Sequence, residues 1–161
     1  MSGEKKRVLM VCLGNICRSP MAEAVFRRIV KDQNLEDKWE VDSAAIIGYH
    51  TGKSPDPRTI GVLKEEGITD YKHKARTVKK SDFLEFDYIF GMDKENIKDL
   101  KSQVPENSKA SIELLGSYDP EGGDIIRDPY YDNGDYGFVE CYAKCERSCL
   151  AFLMRKTNEE K

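Results

Sequence analysis

Val8 to Cys12 is an unbroken apolar run, preceded by the charged stretch Lys5-Lys6-Arg7 and followed by a Gly14-Asn15 turn. A short run of this kind suits a strand buried on both faces. Beyond the turn, Met21, Ala24, Val25 and Ile29 recur at helical spacing. Ser19 is placed to cap that helix and Pro20 to occupy its first position. The pattern then predicts a second strand over Trp39–Ala45, a helix over Pro57–Glu66 closed by Gly67, a third strand over Phe86–Met92, a polar helix from Asp93 to about Lys101, and a fourth strand over Ala110–Leu115. Phe138, Cys141, Tyr142, Cys145, Cys149, Phe152 and Leu153 mark the inner face of a long final helix. Strands alternating with helices predict an α/β fold of Rossmann-like type, with a central four-stranded parallel sheet flanked by helices. The expectation is a single domain over residues 1–161, with its core at about 7–156 and loose charged ends at 1–6 and 157–161. Ligands of such sheets bind at the carboxyl ends of the strands. Chemistry is therefore expected in the loop after the first strand.

Composition narrows the setting. A chain of 161 residues with 39% hydrophobic and 34% charged residues can build one core without a disulfide or a structural metal. A net charge of -3 gives no global attraction to nucleic acid or anionic membrane. No run is long and apolar enough to span a bilayer, and the amino-terminal stretch lacks the apolar segment of a signal peptide, so the expected location is cytoplasmic. The five cysteines include no CxxC pair and are odd in number, which argues against a disulfide framework and against a zinc site. No metal and no cofactor are expected.

The loop reads Cys12-Leu13-Gly14-Asn15-Ile16-Cys17-Arg18-Ser19. Five residues between Cys12 and Arg18 can wrap successive backbone N–H groups around one tetrahedral anion. Gly14 and Asn15 suit left-handed positions in so tight a turn. The helix that follows aims its positive end at the same point. Arg18 can grip two phosphate oxygens at once, and the positive surroundings favour Cys12 as a thiolate nucleophile. The Cys-x5-Arg spacing alone does not carry this reading, because Cys141–Arg147 and Cys149–Arg155 share it. Both of those lie in the final helix, whose N–H groups are already bonded within the helix.

The stretch Val11 to Ala24 resembles the signature of the low-molecular-weight protein tyrosine phosphatases. Ser54-Pro55-Asp56-Pro57-Arg58, His73-Lys74-Ala75-Arg76 and Asp128-Pro129-Tyr130-Tyr131 extend the likeness from about Arg7 to Arg155. The resemblance implies the phosphatase I type of the α/β fold and hydrolysis of phosphotyrosine in proteins and of small aryl phosphates. It implies Cys12 as nucleophile forming a phosphocysteine, Arg18 as phosphate clamp and Asp128 as general acid and base. Spacing alone does not select Asp128 over Asp119, Asp124 or Asp132. The resemblance further implies that Leu13, Gly14, Asn15, Ile16, Cys17 and Ser19 surround the phosphate, with Ser19 also bonding the Cys12 sulfur. Tyr49, Tyr130 and Tyr131 would flank the substrate, with His50 beside Tyr49. Ser43, His73 and Asp93 would support the loop, the last two as a structural pair. Cys17 would form a reversible disulfide with Cys12, and Tyr130 and Tyr131 would accept phosphate themselves. Cys141, Cys145 and Cys149, at i, i+4 and i+8, read as core packing. The expected partners are phosphotyrosine proteins, with the chain a monomer or weak dimer.

Three other readings compete. A non-catalytic phosphate-binding module would explain the loop but not a thiol, Arg18 and a candidate acid together. Arsenate reductases of this fold use extra cysteines on a mobile segment, whereas here the extra cysteines fall on a helix face. Arginine phosphatases of this fold carry Thr where this chain has Ile16, and the bulkier Ile16 favours an aromatic substrate over a guanidinium.

Overall fold

In the computed structural model, which describes residues 5–159, four parallel strands form one sheet. They are β1 (Lys6–Cys12), β2 (Trp39–Ala45), β3 (Tyr88–Gly91) and β4 (Ser111–Leu114), in the order β2-β1-β3-β4. β1 has a neighbour on each side, with Val8 opposite Val41 of β2 and Tyr88 of β3. Its apolar run feeds two cores at once, because successive strand side chains point to opposite faces. Val8, Met10 and Cys12 join the larger core formed with α1 (Arg18–Asp32) and α5 (Tyr136–Glu159). Leu9 and Val11 join Phe83, Phe86, Ile89 and Leu100 on the other face. That face is covered by α3 (Lys80–Glu85) and α4 (Lys94–Gln103), while α2 (Pro57–Glu65) packs against α1 and α5. The chain leaves β1 toward β2 on one side and takes up β3 on the other. The carboxyl end of β1, at Cys12, is thus the point where strand order reverses and a crevice opens.

The expected four-stranded parallel sheet is present, with shifts that have local causes. β3 is shorter than Phe86–Met92, since the N–H of Phe86 closes α3 on Asp82 O at 3.0 Å. β4 stops at Leu114 because Leu115 begins a turn of 3-10 helix. Asp93 is not the first residue of α4 but its cap, accepting from Asn96 N at 2.8 Å. α2 ends at Glu65, and Gly67 at φ +87° makes the turn that follows. Lys6 lies in β1 and residues 157–159 lie in α5, so these parts of the expected loose ends are ordered. Residues 1–4 and 160–161 fall outside the described residues.

α3 has no counterpart in the sequence pattern. Its six residues bury Phe83 but leave Leu84 exposed, too little for a periodic signal. Asp82 organises it: its buried carboxylate accepts from Lys79 N at 2.9 Å and pairs with Arg76 at 3.0 Å.

Candidate active site

The expected cap at Ser19 is corrected by the structure. Helix α1 begins two residues earlier, its cap is Cys17 without a side-chain bond, and Pro20 sits third rather than first. The buried Ser19 instead turns its hydroxyl to the Cys12 sulfur, 3.0 Å away. The backbone N–H groups of Asn15 (3.3 Å) and Ser19 (3.4 Å) point at the same sulfur. Asn15 takes the left-handed turn at φ 59°, as the loop's tightness requires. Gly14 does not adopt positive φ. Its lack of a side chain serves another end, since a Cβ there would meet His50 Cδ2 at 2.9 Å.

Donor bookkeeping fixes the direction of the network below the loop. Arg76 N can only donate, and it reaches Asn15 Oδ1 at 3.2 Å. The Asn15 amide therefore presents Nδ2 to Ser19 Oγ (2.8 Å) and Ser43 Oγ (3.0 Å). With its oxygen accepting from Asn15, Ser19 has its own hydrogen free for Cys12. His73 Nε2, 2.8 Å from Asn15 Oδ1, must be the donor in that bond. The Ser43 hydroxyl in turn donates to Glu23 Oε1 at 2.6 Å, which also accepts from Tyr71 OH at 2.7 Å. Burial, and then Glu23, push the Tyr71 hydroxyl well above its ordinary pKa, so it stays a donor. An unbroken set of bonds thus runs from Glu23 through Ser43 and Asn15 to Ser19 and the sulfur.

Arg18 is held from the opposite flank. It is 3% exposed and donates to Asp93 Oδ2 (2.7 Å) and to the carbonyl of Ile126 (3.0 Å). Burial opposes its charge, but Cys12, Asp93 and Asp128 outweigh that and raise its pKa above the ordinary value. His73 and Asp93 are therefore not a contacting pair: His73 braces Asn15 while Asp93 braces Arg18.

Above the loop lies a cavity of about 320 Å³. Cys12, Leu13, Gly14, Ile16, Cys17 and Arg18 line its floor, with Ile47, Tyr49, His50, Asp128, Tyr130 and Tyr131 around it. His50 stands between Tyr49 (ring centroids 4.8 Å apart) and Tyr130 (5.9 Å), making an aromatic wall. Tyr49 and Tyr131 are largely exposed at the mouth.

Asp128 lies beside the floor, with Oδ2 3.6 Å from Arg18 Nη2 and Oδ1 accepting from Tyr130 N at 3.1 Å. The other nearby acids are occupied elsewhere. Asp119 is bonded by Arg147 (2.9 and 3.0 Å) and Lys144 (2.9 Å), which hold its carboxyl far below the usual range. Asp132 is likewise lowered by its bonds to Arg127. Asp124 is an exposed turn residue that does not line the cavity.

All five cysteines are free and buried. Cys17 packs under the loop with Sγ 3.9 Å from Asp56 Oδ2, and burial followed by Asp56 raises its pKa well above the ordinary thiol value. Cys141, Cys145 and Cys149 lie in the main core, in keeping with their spacing on one helix face.

Sequence reasoning misses Glu23, Asp56 and Arg58 as parts of the site's framework. Glu23 carries a signal, as a lone acid within the apolar stretch Met21–Phe26 that must find buried donors. Asp56 and Arg58 show as a helix start and as part of the family-like stretch Ser54–Arg58, with no role attached to either.

A free thiol ringed by N–H donors, facing a buried arginine and a carboxylate at a strand-to-helix turn, marks a thiol-centred anion site of the α/β class. Comparison with known proteins makes this specific. Residues 7–161 match the family described as low molecular weight phosphotyrosine protein phosphatase. The human protein of that name is 55% identical over 150 residues, covering 92% of this chain and 94% of its own length. The crystal structure of a protein tyrosine phosphatase from Entamoeba histolytica, with Hepes in its active site, superposes with a TM-score of 0.91 at 35% identity, covering 98% of this chain and 100% of that one. A drosophila arginine phosphatase superposes with a TM-score of 0.87 at 39% identity, covering 92% and 96%. The chain belongs to the low molecular weight phosphotyrosine protein phosphatase family, and it is an enzyme of that kind.

Proposed function

We propose that the enzyme hydrolyses phosphotyrosine in proteins, and small aryl phosphates, through a phosphocysteine intermediate on Cys12. The observation that carries this reading is the convergence of Asn15 N, Ser19 N and Ser19 Oγ on the Cys12 sulfur, at the floor of a cavity that Arg18 and Asp128 share. The phosphate dianion rests on the loop amides and Arg18. The Cys12 thiolate attacks phosphorus as the P–O bond to the phenol breaks, and Asp128 gives its proton to the departing oxygen. Asp128, now a carboxylate, takes a proton from water. That water attacks phosphorus, the S–P bond breaks, and thiolate and inorganic phosphate are regenerated. Ser19 steadies the sulfur as it departs. Loop amides and Arg18 fill the role a cation has in metal-dependent phosphatases, so turnover should persist in EDTA.

The substrate ring would sit between the Tyr49–His50–Tyr130 wall and apolar Ile16. A serine phosphate would leave these surfaces unfilled, and a guanidinium would face apolar Ile16. Phosphotyrosine proteins of the cytoplasm are the proposed substrates.

Asp128→Ala is expected to lower kcat/KM for phenyl phosphate by roughly 10²-fold or more. The loss should shrink with 2,4-dinitrophenyl phosphate, whose phenolate leaves without a proton. Rates on the two esters check this, and equal losses on both would remove Asp128 from the role.

A second expectation concerns Cys17, the buried thiol beside the nucleophile. Mild peroxide oxidises the Cys12 thiolate to a sulfenic acid, and Cys17 displaces water to leave a disulfide that a thiol reductant reopens. Peptide mass spectrometry after peroxide should find Cys12 joined to Cys17. Irreversibly oxidised Cys12 with Cys17 still reduced would refute it.

A further inference from the structure

The stretch that carries Asp128 has no regular structure, running as turns and bends from the end of the 3-10 turn to the start of α5. A carboxyl group that must meet a leaving oxygen needs a firmer seat than such a stretch provides by itself. We infer that Arg58 provides that seat: it is a positioning residue that clasps the Asp128 stretch to the phosphate loop. The inference rests on the reading of Asp128 as the general acid.

Arg58 lies in the first turn of α2, two residues after its capping residue Asp56. On one side it grips Asp56, whose carboxylate accepts from Arg58 N (2.8 Å), Nε (3.1 Å) and Nη2 (3.0 Å). Asp56 is itself tied to the phosphate loop, since its N–H donates to Ile16 O at 2.8 Å. Burial works against the Asp56 charge, but the bonds from Arg58 prevail and keep its carboxyl below the usual range. On the other side the guanidinium donates to Tyr130 O (2.9 Å), Asp132 O (2.8 Å) and Gly134 O (3.4 Å). Its plane lies over the Phe138 ring at 4.3 Å. Among the described residues, Arg58 is the side chain from another element that donates to the backbone of 130–134.

The path to the acid is short. Arg58 fixes the carbonyl of Tyr130, and the N–H of that same residue donates to Asp128 Oδ1 at 3.1 Å. Both loops of the site thus meet at one side chain that touches neither substrate nor sulfur. Without it, three carbonyls turn to water and the Asp128 stretch is free to swing, while the cup around Cys12 keeps its own braces from Asn15, His73 and Asp93.

A purely structural arginine and a positioning arginine predict different kinetics. An acid is needed most when the leaving phenolate is poor, so its misplacement shows in the dependence on leaving group. The test compares kcat/KM for phenyl phosphate and 2,4-dinitrophenyl phosphate in wild type, Arg58→Met and Arg58→Lys. Met keeps the stem over Phe138, and Lys keeps a charge without the fork. The expected result for Arg58→Met is a loss of roughly 10²-fold with phenyl phosphate and less than about fivefold with the dinitrophenyl ester. Arg58→Lys should fall between Arg58→Met and wild type, and inhibition by inorganic phosphate should be unchanged. In the Asp128→Ala background, Arg58→Met should add nothing further. Equal losses on both esters, or full additivity with Asp128→Ala, would overturn the inference. Should Arg58→Met melt below the assay temperature, the same leaving-group comparison on Arg58→Lys decides. A wild type inert toward both esters would overturn the proposed function as well, whereas an active wild type with parallel losses overturns the inference alone.

Discussion

Cys12→Ser is expected to reduce hydrolysis of an aryl phosphate by at least about 10⁴-fold while leaving inorganic phosphate bound. The two halves of this outcome come from different atoms. In the proposed mechanism binding rests on the loop amides and on Arg18, whose placement by Asp93 and the Ile126 carbonyl does not involve the sulfur. Turnover in that mechanism rests on the sulfur, because a serine hydroxyl is a weak nucleophile without a base, and the side chain at position 12 is bonded to Ser19 and Asn15 rather than to a histidine. The checking measurements are steady-state rates in EDTA and the binding of inorganic phosphate by calorimetry. A Cys12→Ser variant within about 100-fold of wild type would show that phosphate is lost by direct attack of water, with the thiol a bystander.

Arg18→Lys is the next largest expectation, a fall of roughly 10²–10³-fold in kcat/KM, equivalent to about 3–4 kcal/mol of transition-state stabilisation. The exchange conserves charge, so the loss is one of shape. The guanidinium donates to Asp93 and to Ile126 O from one nitrogen, Nη1, which leaves Nη2 and Nε for phosphate, whereas the single nitrogen of an ammonium on a shorter reach cannot meet all three. Since Arg18 is buried, water cannot fill the vacated position freely. The deficit should fall on substrate and transition state unequally, lowering kcat as well as raising KM. A lysine variant with wild-type rates would mean that Arg18 supplies only field, not aimed bonds.

What can be read in the chain, and what cannot, follows from how local each signal is. Val8–Cys12 announces a two-faced strand because burial on both sides admits no polar residue. Asn15 announces a left-handed turn because few side chains tolerate one. Ser19 misleads for the same reason: as a local signal it is a cap, and only the fold brings Cys12 and Asn15 to it. α3 is silent because a buried Asp82–Arg76 pair, not apolar spacing, holds it. Asp128, the proposed acid, can be chosen in the sequence only by resemblance. What separates it physically from Asp119 is that Lys144 and Arg147 of α5 occupy the latter, contacts made across 25 and 28 residues. The role of Arg58 is not legible in its helix start or its family-like stretch, since its partners at 130–134 are distant in sequence.

The reach of Asn15 has a consequence for the life of the chain before it is an enzyme. Its amide joins positions 19, 43, 73 and 76, separations of 4, 28, 58 and 61 residues. Each longer closure costs more chain entropy before any bond rewards it. A polypeptide that has paired β1 with β2 but has not yet brought residues 73–76 across still carries an unshaped Cys12 loop. The chemistry therefore comes into being only when well over a third of the protein has closed around that amide. A chain still emerging from the ribosome, or one partly unravelled, has no assembled site with which to strip phosphate from its neighbours.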